Sequence, residues 1–292
     1  MTVTLLADVQ GQVQEYWSAM FVDEVKETTL LPSLVNKDYK GEIKKGGDSV
    51  TVSQINRVTA ERKTVGTAGS NTFTPSALTT SEVKITANQR ITASIELEDL
   101  VDLQSQIGDE NSALRASLVE ALEIELNNFL YTKIAPSASA PNHVLTGVTD
   151  FDAAQMAAIK ILASQARWRK NGWFLLADPV YHQDILNSIT MTSADYVPDA
   201  PVVGGQIATK RFGFNILEDN SDGLLTLSSS SQDAAVAFHP DFMALVMQRE
   251  PTFKISDQHA NEKHGYLMSV DMLVGAELLP DGDNKHISII NA

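Results

Sequence analysis

The stretch Val83-Lys-Ile-Thr-Ala-Asn-Gln-Arg-Ile-Thr-Ala-Ser-Ile-Glu-Leu97 carries apolar residues at odd positions and polar residues at even positions. A period of two predicts one β-strand with an apolar face and a polar face. At about 3.3 Å per residue such a strand would reach roughly 50 Å, well beyond the ~17–20 Å of an ordinary strand. Gln89 is the one interruption, so we expect a bend there.

The period changes after this strand. Asp109 can cap a helix over Asp109–Lys133, and Pro136 would stop it. The apolar stripe of this helix consists of Leu114, Leu118, Leu122, Leu126 and Leu130, widened by Val119 and Phe129. A long strand that leads into a long helix favours an extended subunit that completes itself against copies of its own kind.

Composition excludes several classes of protein. The 292 residues, 43% of them hydrophobic, suffice for one large or two modest folding units. A net charge of −15, from 22 basic and 37 acidic residues, argues against a dedicated nucleic-acid binder. The absence of cysteine excludes disulfides and thiol catalysis. No apolar run approaches the ~20 residues of a membrane helix, and MTVTLLADVQ lacks a signal-peptide pattern. We therefore expect a soluble protein made in a cytosol.

The segments around the long strand predict arms. An amphipathic helix is expected over residues 8–27, ended by Pro32, with Ser33–Tyr39 as an extended arm that packs either on a neighbouring copy or on its own domain. The strand Val50–Val58, the Thr- and Ser-rich loop Thr59–Ser81 and the returning strand predict a long two-stranded arm. Because an isolated hairpin is only marginally stable in water, we expect it to lie on a neighbouring subunit.

The second half of the chain has a different pattern, in which predicted helices alternate with short strands. An α/β unit is predicted from about residue 145 to about 235. Its helices are Phe151–Lys170, capped by Asp150 or Asp152, and Val180–Ser188; its strands are Trp173–Ala177, Phe212–Leu217, Leu224–Leu227 and Ala234–Phe238. A second long alternation over Tyr266–Leu278 predicts a strand with a bulge at Gly275. A turn at 281–284 then leads to an edge strand containing Ile287 and Ile289.

Known chemical motifs are incomplete in this sequence. Gly41–Asp48 has the glycine spacing of a phosphate loop, but Gly47-Asp48 stands where Lys and Ser or Thr are required. His259, Glu262 and His264 do not share the spacing that places two imidazoles on one helical face, so a polar loop is the better interpretation than a metal site.

Two polar groupings have structural interpretations as well as chemical ones. The carboxylates Glu96, Glu98, Asp99 and Asp102 could form an acid/base pair, but a solvated junction or a partner for basic groups of another subunit is the default. The tryptophans Trp168 and Trp173 flank basic residues, and core anchors are favoured over nucleic-acid contacts. His239-Pro240-Asp241 is a turn. We therefore predict no catalytic, cofactor-binding or metal-binding residue, no cofactor and no enzymatic activity.

The order of these parts resembles a known family. The features that carry the resemblance are the amino-terminal arm, the long loop entered through Gly47–Val52, the long helix, the insertion with Trp173–Pro179, and the strand-rich tail with Gly265-Tyr266 and Gly275–Leu279. The chain resembles, over nearly its whole length, a major capsid protein of a tailed double-stranded-DNA bacteriophage with the Hong Kong 97-type fold.

The resemblance implies an α+β fold with named parts. They are an N-terminal arm (1–40), an extended loop (41–97), a peripheral domain with a spine helix (98–146 and 234–292) and an axial domain (147–233). Some relatives cross-link through a Lys, an Asn and a Glu. Lys63 lies in the loop, but no Asn and Glu match that motif, so cross-linking is not expected.

The resemblance also implies a function. Pentamers and hexamers of the chain would form an icosahedral shell that encloses phage DNA without sequence-specific binding, in a virion assembled in the bacterial cytoplasm. Expected partners are a separate scaffolding protein, a portal and a decoration protein, with no membrane. The alternatives are an encapsulin-like compartment around a cargo enzyme and, third, an enzyme of another class.

Overall fold

The computed structural model describes residues 29–39, 49–98, 111–135, 144–170, 172–188, 210–227, 233–258 and 264–291. Within these residues the fold is mixed α+β. The helices are α1 (Leu31–Leu34), α2 (Asn111–Ile134), α3 (Ala153–Gln165), α4 (Pro179–Asn187) and α5 (Asp222–Leu225). The strands are β1 (Ser49–Ile55), β2 (Thr80–Thr86), β3 (Gln89–Leu97), β4 (Val144–Leu145), β5 (Trp173–Ala177), β6 (Lys210–Arg211), β7 (Phe214–Glu218), β8 (Ala234–Phe238), β9 (Met243–Asp257), β10 (Tyr266–Leu278) and β11 (His286–Ile290).

The strands form three separate sheets. Strands β1 and β2 pair only with each other, β3, β10 and β9 form a three-stranded antiparallel sheet, and the six-stranded sheet has the order β4-β11-β8-β5-β7-β6. None of the helices in the described ranges is long and apolar enough to cross a membrane.

The long helix α2 packs on one face of the three-stranded sheet. The predicted leucines Leu118, Leu122, Leu126 and Leu130 are buried there, and Leu114 and Phe129 pack at the edge of the same cluster. Val119 is 38% exposed, so its assignment to the buried stripe was wrong. The Arg115 guanidinium lies 4.6 Å from the Phe253 ring on β9, and Lys133 pairs with Glu277 on β10 at 3.1 Å. These contacts connect the two ends of the helix to two different strands.

The prediction of one strand over Val83–Leu97 was wrong. The chain breaks at Ala87-Asn88, close to the expected bend, where the N–H of Asn88 donates to the carbonyl of Thr86 at 3.1 Å. Residues before the break pair with β1, and residues after it pair with β10. One continuous alternation therefore serves two sheets, because both halves need an apolar face but bury it against different elements.

The strands β9 and β10 form a long antiparallel pair, as the second alternation indicated for β10. The predicted bulge is displaced from Gly275, which pairs regularly with Val246. The register shifts instead between Asp271 and Val274, where β9 contains the extra residues. Pro251 lies in this part of β9. Because proline cannot donate a ladder hydrogen bond, an irregular pairing is expected there.

The six-stranded sheet contains segments from both sides of the predicted domain boundary. Its β5 and β7 lie in the predicted axial domain (147–233), whereas β8 and β11 lie in the segment 234–292 that was predicted to belong to the peripheral domain. All five residues of β8 and of β11 are buried. The prediction that Ile287 and Ile289 lie on an edge strand was wrong, because β11 lies between β4 and β8.

The helices around this sheet have identifiable ends. The Asp152 carboxylate caps α3 by accepting from the N–H groups of Ala154 and Gln155, which confirms one of the two predicted caps. The helix ends at Gln165 rather than Lys170, and Arg167 follows with a φ of 60°. The prediction of a strand over Leu224–Leu227 was wrong. This apolar run lies at the end of α5, and Gly223 packs closely on α2.

The described part of the amino-terminal arm packs on its own chain. Pro32 lies in the first turn of α1 rather than at the end of a helix, because the first turn needs no proline N–H. Leu31 and Val35 are buried in the core that contains α2. Asn36 forms a parallel bridge with Ala244. Of the two alternatives for the arm, a neighbouring copy or its own domain, residues 29–36 therefore pack on their own chain. The predicted helix over residues 8–27 and the cap Asp109 lie outside the described residues.

Candidate functional site

The two-stranded hairpin β1–β2 has a buried base. Its register runs from Ser49 opposite Thr86 to Ile55 opposite Thr80. Val50 and Ile85, opposite each other near the base, are buried against Val246 and Leu279. Gln54 donates from Nε2 to Asp281 Oδ2 at 2.8 Å. The base of the hairpin is therefore attached to the rest of the chain.

The distal half of the hairpin exposes its apolar side chains. Val65 is 93% exposed and Phe73 is 83% exposed. The other large apolar side chains exposed on this half of the hairpin are Ile55, Val58 and Leu78. Isolated exposed apolar residues are ordinary, but five within residues 55–78 concentrate exposed apolar side chains on one segment. We call residues 55–79 the hairpin tip.

Polar contacts organise the hairpin tip from within. Lys63 Nζ donates to the carbonyl of Thr72 at 2.6 Å and pairs with Glu61 at 3.3 Å. The N–H of Thr74 donates to Glu61 Oε2 at 3.3 Å, which links the two sides of the loop. The hydroxyls of Thr67 and Thr72 also donate to carbonyls of their own loop. The apolar side chains of the tip are left facing outward.

The hairpin also differs from the rest of the chain in charge. Residues 49–86 contain the basic residues Arg57, Arg62, Lys63 and Lys84 and the acidic residues Glu61 and Glu82. This segment is therefore net positive within a chain of net charge −15. An apolar, net positive projection is complementary to an acidic surface that offers apolar contact.

The residues considered for chemistry do not come together in the described structure. Glu98 is exposed and Glu96 lies in β3, whereas Asp99 and Asp102 are outside the described residues. His264 is exposed, and His259 and Glu262 are likewise outside them, as is the glycine-rich segment 41–48. Across the described ranges, no three His, Asp or Glu residues are grouped so that they could hold a metal ion.

The aromatic and histidine predictions agree with the structure. Trp168 and Trp173 are buried, with an edge-to-face contact of 5.7 Å between their ring centroids, so they are core anchors. His239 begins the short 3-10 turn Pro240–Phe242, and its Nδ1 accepts from the N–H of Asp241 at 3.2 Å. This segment is the predicted turn.

Sequence reasoning missed a charged cluster on the open face of the three-stranded sheet. The Asp271 side chain on β10 is 6% exposed. Its Oδ2 lies 3.0 Å from Arg90 Nη2 on β3 and 3.1 Å from Arg249 Nη1 on β9, and its Oδ1 lies 3.9 Å from Lys254 Nζ. One carboxylate thus connects all three strands. No local signal identified it, because its partners are distant in sequence.

Two further buried acidic groups were also missed. Asp178 caps α4 by accepting from the N–H of Tyr181 at 3.0 Å. Burial, followed by the neighbouring Asp233, raises the pKa of Asp178 from 3.8 to about 6. Asp219 accepts from the Tyr131 hydroxyl at 2.5 Å, and burial raises the pKa of this hydroxyl well above its usual value. Both carboxylates have a capping or packing partner, which gives each a structural role.

Comparison with solved structures identifies the fold. A structure from Mycobacterium phage Che8 is similar with a TM-score of 0.76 and 22% identity, covering 95% of this chain and 96% of that chain. The capsid structure of cyanophage P-SCSP1u is similar with a TM-score of 0.74 and 14% identity, covering 99% of this chain and 94% of that chain. The cyanophage Pam1 capsid asymmetric unit is similar with a TM-score of 0.74 and 12% identity, covering 99% of this chain and 98% of that chain.

The chain therefore has a mixed α+β fold shared with phage capsid structures over nearly its whole length. Neither a protein-family model nor a curated protein matches it in sequence.

Proposed function

We propose that this chain is the major capsid protein of a tailed double-stranded-DNA bacteriophage, with the Hong Kong 97-type fold. It would be a structural subunit that assembles as pentamers and hexamers into an icosahedral shell around the phage DNA. The similarity to phage capsid structures over at least 95% of the chain supports this proposal. The subunit would reside in the virion and assemble in the bacterial cytoplasm.

The uncovered apolar hairpin tip is the observation that carries the assembly mechanism. Its polar groups are bonded within the loop, while Val65 and Phe73 face outward. Burial of each on a neighbouring copy would contribute about 1.5–3 kcal/mol. Each such contact is small, but closed symmetry repeats it around every pentamer and hexamer.

The division into parts follows the same proposal. Residues 1–40 would be the N-terminal arm, 41–97 the extended loop, 98–146 and 234–292 the peripheral domain, and 147–233 the axial domain. The six-stranded sheet joins β8 and β11 to the strands of the axial segment, so these two strands would bind the two domains together. A scaffolding protein, a portal and a decoration protein would be the other partners.

An encapsulin-like compartment is the second candidate. It is not favoured, because the similar structures compared above come from phages, and those of P-SCSP1u and Pam1 are capsid structures. Electron microscopy of the purified protein or its particle distinguishes the two, since the phage shell would hold DNA and the compartment would hold a protein cargo.

Deletion of Thr59–Ser81 tests the role of the hairpin tip. We expect a soluble, folded subunit that forms no closed shells, measured by circular dichroism and electron microscopy. The double variant Val65→Ser and Phe73→Ser is a milder form of the same test. A matched control is Thr67→Ser, which keeps the hydroxyl that donates to the Thr64 carbonyl. Normal shells from the deletion would contradict the proposal.

A further inference from the structure

A cleft of about 760 Å³ lies beside the base of the hairpin. Its walls are residues 52–54 of β1, the turn of residues 166–169 that follows α3, and residues 279–285, which lead into β11. The cleft therefore lies where the hairpin meets the segment that leads into the six-stranded sheet. No chemical role for it is apparent from the sequence motifs.

Three cationic side chains line this cleft, Arg167, Arg169 and Lys285. Arg167 and Arg169 are exposed, and Lys285 is partly buried. Lys285 Nζ donates only to backbone carbonyls, those of Asp241 at 3.3 Å and Pro280 at 3.2 Å. Among the described residues, no ion pair includes any of the three cations.

Two acidic residues, Asp241 and Asp281, also line the cleft. Asp281 Oδ2 accepts from Gln54 Nε2 at 2.8 Å. Burial lowers the pKa of Lys285, the negative charges of Asp241 and Asp281 raise it, and the positive charge of Arg169 lowers it. The three cations and two carboxylates that line the cleft leave it with one net positive charge, which a bound anion would offset.

The backbone of Arg167 has an unusual conformation. Its φ of 60° is in the left-handed region, at a helix end where glycine or asparagine is the ordinary residue. An arginine there adopts a conformation that costs energy, and its side chain lines the cleft. A ligand contact would account for an arginine in place of glycine.

We propose that this cleft is an oxyanion-binding site, in which Arg167, Arg169 and Lys285 hold a carboxylate or phosphate group. Guanidinium groups bind both planar carboxylates and phosphates through paired charge-assisted hydrogen bonds. The bound group would connect the turn after α3 to the base of the hairpin. The source of the oxyanion is either an acidic side chain of another protein copy or a phosphate. This inference is independent of the proposed shell function.

Titration of the unassembled full-length subunit tests the site. The probes are inorganic phosphate and glutarate, with sodium chloride at matched ionic strength as the reference. Trp168 lines the cleft, so tryptophan fluorescence reports occupancy, and the thermal midpoint reports the coupled stabilisation. We expect saturable changes with at least one oxyanion. A response to phosphate alone indicates a phosphate source, and a response to glutarate alone indicates a carboxylate source.

Variants separate a built site from general charge attraction. Arg169→Gln should weaken oxyanion binding at least tenfold, and Arg167→Gln should act in the same direction; both residues are exposed, so the fold should persist. Lys170→Gln is the matched control, because Lys170 is an exposed cation next to Arg169 that does not line the cleft. Chloride responses equal to those of both oxyanions, or equal binding by Arg169→Gln and the natural chain, would overturn the proposal.

Discussion

Gly275 in β10 packs directly against the backbone of Thr86, and a Cβ atom at position 275 would overlap the Thr86 carbonyl oxygen. The contact lies where the chain leaves the hairpin strand β2 and enters β3 in the three-stranded sheet. The hairpin and this sheet therefore meet backbone to backbone, without an intervening side chain. The position of the hairpin depends on the absence of a side chain at residue 275.

Replacement of Gly275 by Ala should destabilise the subunit. Because the atoms in the way belong to backbone, relief requires displacement of the hairpin base, and overpacking of this kind costs about 1–3 kcal/mol. Urea unfolding of the unassembled subunit measures the loss. Ser269→Ala, a small change on a half-buried position of the same strand, should leave the free energy of unfolding nearly unchanged. Equal stabilities for the two variants would mean that the close approach is not present in solution.

Asp178 should make the free energy of unfolding depend on pH. Its pKa in the folded chain is about 6, above the unfolded value of 3.8, so the folded state holds a proton that the unfolded state releases. This contribution to stability is fully present below pH 3.8 and is lost as pH rises through 6. A shift of about 2 pH units corresponds to ~3 kcal/mol.

Asp178→Asn isolates this effect. Asparagine keeps an oxygen for the Tyr181 N–H but does not titrate. We expect the stability difference between the variant and the natural chain to change by up to ~3 kcal/mol between pH 4 and pH 8, with the variant favoured at high pH. A difference that is constant across this range would contradict the assignment.

Asp271→Asn should lower the free energy of unfolding more than removal of one of the cationic partners of Asp271 does. The variant leaves two guanidinium groups and an ammonium facing one another without their shared carboxylate. Because these cations are 40–63% exposed and can be hydrated, we expect a loss of about 1–3 kcal/mol rather than the larger cost of a buried unpaired charge. Lys254→Met removes the most distant partner, which is half exposed, and should cost less than about 1 kcal/mol. Chemical denaturation at low and high salt measures both, and high salt should partly rescue Asp271→Asn.

Charge on the buried stripe of α2 should prevent folding. Replacement of Leu118 and Leu122 by Asp places two unpaired carboxylates in the core, so we expect no soluble, folded subunit. Val119→Asp is the matched control on the same helix, because its side chain already reaches solvent. Soluble, folded protein from the double Asp variant would mean that the packing of α2 is wrong.

Local patterns predicted the individual elements well. The 3.6-residue period of the leucines predicted α2, and strict alternation predicted β10, because burial on one face acts on residues near each other in sequence. The cap at Asp152 and the strand Trp173–Ala177 were predicted for the same reason. The apolar run 224–227 was misjudged because a short buried helix and a short buried strand have the same composition.

The candidate surface was only partly predictable. The Thr- and Ser-rich loop indicated that residues 59–81 could not build a core, and the structure shows this tip exposed. The cations of the cleft were visible in sequence as a basic turn between two tryptophans. Their relation to Lys285 and to the hairpin base was not visible, because more than 100 residues separate them.

Over most of the described residues, the amino-acid sequence by itself determined which are strand, helix and turn, and which face of each long element is apolar. Only the tertiary structure decided that residues 83–97 divide between two sheets, that β11 lies inside a sheet, and that Asp271 joins three strands. The physical reason is that periodicity records only whether a face is buried. The element that buries it depends on hydrogen bonds and contacts between segments that are distant along the chain.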